Sequence, residues 1–118
     1  MKKLLSAAAV LVLTGAAYAT PAKYDYRCYP NDKTLSTVDL ELQGRKATLN
    51  GDDTGSYDSS YTGGDSAKFD RFVGFNSEDG QVELLVQKSL RKGAGKGEIR
   101  IQVRGEGFSS DVYECYSR

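Results

Sequence analysis

Asn50, Asp52 and Thr54 stand at alternate positions ahead of Gly55, with Ser56 and Asp58 beyond it. Oxygen-bearing side chains at that spacing, around a glycine able to make a sharp turn, are what a calcium loop requires. Tyr61 occupies the place of the closing bidentate glutamate, and no helical pattern flanks the segment. The stretch from Asn50 to Gly64 therefore reads as a solvated acidic loop of turn formers, with no metal. It holds Asp52, Asp53 and Asp58, the aromatics Tyr57 and Tyr61, and no basic residue. Gly55, Ser56, Tyr57, Asp58 and Tyr61 make it a candidate partner-binding loop, because tyrosines give contact area at low entropy cost.

Lys88, Arg91, Lys92, Lys96, Arg100 and Arg104 form a basic stretch interrupted only by Glu98, and Gly93, Gly95 and Gly97 make its middle a mobile hairpin tip. Such a patch can meet an acidic partner, or it can be a solvated face, since strand alternation puts Arg100 and Arg104 on the solvent side. Tyrosine and phenylalanine are not interleaved with it as a base-stacking platform would need, so nucleic acid is not an expected partner. Gly93-Ala94-Gly95-Lys96-Gly97 and Gly105-Glu106-Gly107 fit neither dinucleotide nor phosphate-loop spacing, and read as a tip and a bulge or bend. Ser89-Leu90-Arg91-Lys92 matches the Ser-x-x-Lys pattern of serine acyl enzymes without their partner motifs. Glu78, Asp79, Glu83, Glu98, Glu106 and Glu114 supply acids, but glycoside hydrolysis needs two carboxyls held about 5 to 9 Å apart in a cleft. With no histidine in 118 residues, the commonest general base and metal ligand is missing, and we expect neither an enzyme nor a cofactor.

The elements that must position these residues are strands. Tyr24, Tyr26 and Cys28 alternate with Lys23, Asp25 and Arg27, and Val38, Leu40 and Leu42 with Asp39 and Glu41. Ala47 and Leu49 follow Gly44; Phe69, Val73 and Phe75 frame another strand; Asp79-Gly80 marks a hairpin before Val82, Leu84 and Val86. Val82 and Val86, with Gly93 beyond, favour strand over helix for residues 82–92. Ile99, Ile101 and Val103 give a further strand, and residues 110–116 the last. Seven or eight short strands without a helical stripe predict a small antiparallel barrel, with a β-sandwich as the alternative.

Lys2 and Lys3, the apolar run from Leu4 to Ala17 and the Ala17-Tyr18-Ala19 site predict a secretion signal, cleaved after Ala19. The run is shorter than the roughly 20 apolar residues a membrane-spanning helix needs, and Ala16 stands where a lipid-anchored chain would carry cysteine. The expected product is a single all-β domain over residues 20–118, periplasmic or secreted, with no membrane anchor. Loss of Lys2 and Lys3 leaves 14 basic against 16 acidic residues, a balance that gives no global attraction to polyanions. In an exported chain the two cysteines, Cys28 and Cys115, read as a disulfide, which would bring the first and last strands within about 6 Å and favour a closed barrel.

Tyr26-Arg27-Cys28, Ala47-Thr48-Leu49, the loop Thr54-Gly55-Ser56-Tyr57 and Tyr113-Glu114-Cys115, behind an export signal, resemble in order the small periplasmic lysozyme inhibitors of the membrane-bound C-type lysozyme inhibitor family. The resemblance spans most of the mature chain and implies an eight-stranded antiparallel barrel whose loop near Ser56 and Tyr57 enters an enzyme's cleft. The chain departs from the family in lacking a lipid-anchor cysteine and in its glycine-rich residues 93–97, and the family's inhibitory lysine has no placed counterpart. The expected function is a non-catalytic exported barrel that binds a protein partner through its loops, including as an inhibitor of a cell-wall hydrolase. The alternatives are a small-ligand carrier, unless large apolar side chains fill the interior, and a structural envelope-interaction protein.

Overall fold

The computed structural model describes residues 20–76, 81–104 and 108–118, apart from the side chains at 81, 104, 108 and 109. The expected signal segment 1–19, the expected Asp79-Gly80 turn with Glu78, and the expected bend at Gly105-Glu106-Gly107 lie outside the described residues. Eight strands follow one another: β1 (Lys23–Pro30), β2 (Val38–Gln43), β3 (Lys46–Leu49), β4 (Asp53–Asp58), β5 (Phe69–Phe75), β6 (Gln81–Gln87), β7 (Lys96–Arg104) and β8 (Phe108–Ser117). Each pairs antiparallel with the next and β8 returns to β1, so the sheet is a closed barrel in sequence order rather than a sandwich. Closure gives every strand a partner on both sides and leaves no open sheet edge. No helix among the described residues is long and apolar enough to cross a membrane.

Period-two alternation fills the barrel. Tyr26, Leu40, Leu42, Ala47, Leu84, Val86 and Ile99 turn inward from their strands and are buried together. Strand β5 breaks the period, because Phe72 and Phe75 both reach the core although they stand three positions apart. A register shift between them, with Gly74 at φ +95°, inserts the extra residue that returns Phe75 to the inner face. Cys28 and Cys115 lie directly opposite each other on β1 and β8, with Cα atoms 3.9 Å apart, and form the disulfide. Such a bond suits an oxidising compartment.

Residues 50–64 are not one loop. Asn50 (φ 52°) and Gly51 (φ 85°) make a tight turn out of β3, and Asp53–Asp58 then runs back beside β3 as strand β4. Leu49 pairs with Asp53, so the connection is three residues long, and Asn50 and Gly51 supply its two positive φ angles. Residues 82–92 are not one strand either: β6 ends at Gln87 and Lys88–Lys92 form a 3-10 turn, closed by Gly93 in a left-handed conformation. Leu90 of that turn is fully buried and packs over Gly97 of β7, where a Cβ would come within 2.7 Å of Leu90 Cγ. The predicted mobile tip is thus a plug over one barrel end, in which Gly93 serves a left-handed cap and Gly97 a close contact.

Candidate functional site

The starts of β1 and β5 and the ends of β2, β4 and β6 meet at one end of an antiparallel barrel, and a cleft of about 490 Å³ opens there. Pro21, Tyr24, Leu42 and Tyr57 form its apolar walls, and Asp70, Lys88, Arg91 and Lys92 its charged ones. The 3-10 turn that carries the three cations is fixed from below by Leu90 and by Tyr26. The buried Tyr26 hydroxyl donates toward the carbonyls of Leu90, at 2.7 Å, and Ala94, at 3.0 Å. Burial pushes the Tyr26 phenol's pKa up, so it remains a donor.

Asp70 lies on the same face of β5 as Phe72 and is 8% exposed. Lys88 Nζ donates to its Oδ1 at 2.7 Å and Arg91 Nη1 to its Oδ2 at 2.9 Å. Burial pushes this carboxyl up, but the two hydrogen bonds and two positive charges outweigh it and hold the pKa below its ordinary value. Arg91 also donates to the Gly44 carbonyl, and its guanidinium lies 4.4 Å from the Tyr57 ring centroid and 5.2 Å from that of Phe72. Arg45 adds a second guanidinium over Tyr57 at 5.0 Å. Asp70 is the only carboxylate among the described residues that line the cleft, against the three cations Lys88, Arg91 and Lys92. Arg45 and Lys92 are exposed and make no ion pair among the described residues.

The basic stretch divides between separate surfaces. Lys88, Arg91 and Lys92 share the mouth; Lys96 is exposed at the start of β7, opposite Tyr116; the side chain of Arg104 lies outside the described residues. Arg100 points outward as the alternation requires but is not bare. It pairs with Glu98 at 2.8 Å and Asp65 at 3.0 Å, and its guanidinium sits 4.6 Å from the Phe69 ring centroid.

The five loop candidates divide as well. Tyr57 reaches the mouth, Ser56 is exposed on β4, and Gly55 is buried against Phe75. Asp58 accepts hydrogen bonds from Arg71 Nη2 at 2.7 Å and from Ser60, while Tyr61 lies beneath Arg71, 4.7 Å from ring centroid to guanidinium carbon. Arg71, Leu85 and Arg100 are cross-strand neighbours on the outer face, where Leu85 is buried, so residues 59–68 are clipped to the barrel wall by Arg71 at Tyr61 and by Arg100 at Asp65. Sequence reasoning missed Asp70 and Tyr24. Two basic residues following a strand that pairs with Phe69–Phe75 mark the neighbourhood of Asp70 only once the register is known. No group of three or more histidine, cysteine, aspartate or glutamate residues that could hold a metal ion occurs among the described residues.

Two predictions arise from these positions. A Cβ at Gly55 would overlap the Phe75 ring, coming within 2.5 Å of Cζ. Gly55→Ala is therefore expected to cost about 1 to 3 kcal/mol in urea unfolding through overpacking. Unchanged stability would contradict a packing role for this glycine.

Hydrogen bonds from Ser60 and then Arg71 hold Asp58 down from its ordinary 3.8 to about 2. A depressed carboxylate stabilises the fold above its unfolded value, and that contribution is lost as pH falls through the folded one. Residues 59–68 should therefore loosen between about pH 4 and pH 2. Tyr61 ring resonances followed by NMR should titrate near the lower limit, and Asp58→Asn should remove the transition. A midpoint near the ordinary carboxylate value would contradict the clip.

Comparison with family profiles, with curated proteins and with solved structures finds no match for this chain.

Proposed function

We propose that this protein is an exported, non-catalytic binding module that docks on an acidic protein surface through the cationic, tyrosine-lined mouth of its barrel, inhibiting a cell-wall hydrolase by covering its cleft. The observation that carries this reading is the convergence of Lys88, Arg91 and Lys92 on a cleft with one carboxylate, which is already bonded. Glycoside hydrolases flank the scissile bond with a pair of carboxyl groups, so their clefts offer the complementary charge. Signal cleavage after Ala19 would add the α-amino group of Thr20 one residue from Pro21 at the same mouth. The residues supporting this reading are only partly those of the resemblance: Tyr57 belongs to it, and the lysines of the 3-10 turn do not.

The interior speaks against a carrier with its ligand in the lumen, because Tyr26, Leu40, Phe72, Leu84, Val86, Leu90, Ile99 and the disulfide are fully buried there. The test is hydrolysis of cell-wall substrate by a muramidase with the purified mature protein at micromolar concentration. Dose-dependent inhibition, and calorimetric binding that weakens as salt rises, are expected. Absence of both inhibition and binding overturns the proposal.

A further inference from the structure

We infer that the same mouth binds a small phosphorylated sugar, with the phosphate monoester between Lys88 and Lys92 and the sugar ring against Tyr24. A cleft of about 490 Å³ lined by both apolar and charged side chains lies in the size range of small-molecule sites. Its free donors decide which anion it prefers. Arg91 directs its planar fork at Asp70 and the Gly44 carbonyl, so it acts as a fixed positive charge behind the site. What remains are ammonium groups: Lys92, exposed and without an ion-pair partner among the described residues, and Lys88, whose side chain is 44% exposed and uses one bond on Asp70. Ammoniums bind as compact point charges with no preference for a planar carboxylate. A phosphate monoester, carrying about −1.5 to −2 at pH 7, gains more from them than a singly charged uronate does. Tyr24 and Tyr57 line the cleft beside the lysines, and the bare Cα of Gly93 leaves room for the Tyr24 ring, since a Cβ there would come within 2.7 Å of Tyr24 Cε1.

The inference goes beyond docking and does not depend on it, because its test contains no protein partner. Glucose 6-phosphate, glucuronate, inorganic phosphate and glucose are titrated separately into the disulfide-bonded mature protein near pH 7.5 at low salt. NMR shifts are followed at residues 88–93, Tyr24 and Tyr57. Glucose 6-phosphate should give saturable shifts there and bind about ten-fold tighter than glucuronate or inorganic phosphate, with glucose inert. Lys92→Ala should weaken it about ten-fold, and Lys33→Ala, on the connection at the opposite barrel end, should not. No saturable shift at the mouth overturns the inference. So does equal affinity for glucuronate, which removes the charge preference, or for inorganic phosphate, which removes the sugar contact.

Discussion

Replacing Cys28 and Cys115 together by alanine is expected to lower stability by about 4 to 5 kcal/mol, because the bond closes a loop across a sequence separation of 87 residues. A domain of this size has roughly 5 to 15 kcal/mol in total, so the variant would be marginal at best. A fall in Tm of about 20 to 35 °C follows from the entropy of unfolding of a domain near 100 residues. Serine would be a poorer choice, since both positions are fully buried and an unpartnered hydroxyl adds its own penalty. Between Tyr26 and Pro30 the first strand is also paired to the last through backbone hydrogen bonds, so a drop below about 1 kcal/mol would mean that this ladder alone closes the ring.

Leu90→Ala carries the second large effect and links stability to the site. Leu90 is fully buried under the 3-10 turn, packs against Gly97, and its carbonyl accepts from Tyr26. Truncating a buried leucine costs about 2 to 5 kcal/mol, with the cavity it leaves setting where in that range the value falls. The functional consequence is larger than the number conveys, because Lys88, Arg91 and Lys92 have no other apolar anchor in their own turn. Urea unfolding should show the loss, and NMR should show Lys88, Arg91 and Lys92 shifted while Lys33, at the opposite barrel end, is not. A stability change under about 1 kcal/mol would contradict the plug.

The strands and their closure were legible because alternation and cysteine placement are local or covalent facts. Tyr24, Tyr26 and Cys28 announce an inner face by themselves, and a bridge from Cys28 to Cys115 brings the terminal strands together whatever lies between. Strand β4 was hidden because Asp53, Gly55 and Ser56 are turn formers by composition; their strand is held by pairing with β3 and β5. Asn50-Gly51 was the available signal for it. The mouth was hidden for a different reason. Tyr57, Asp70 and Arg91 each look ordinary, and only the register of a closed barrel brings a guanidinium 34 positions downstream over the tyrosine ring. The acidic residues misled as well: Asp58 and Asp65 are taken up by Arg71 and Arg100 of the same chain, which makes them part of the scaffold.

The most direct measurement compares charge reversal at the mouth with the same reversal elsewhere. Lys92→Glu alters an exposed side chain of the mouth with no ion-pair partner among the described residues, whereas Lys33→Glu alters an exposed lysine at the other end of the barrel. Calorimetry against the muramidase should show the mouth variant binding at least about ten-fold more weakly, with thermal unfolding unchanged, and the Lys33 variant binding like the parent. Equal affinity for all three proteins would contradict the assignment of function to the mouth.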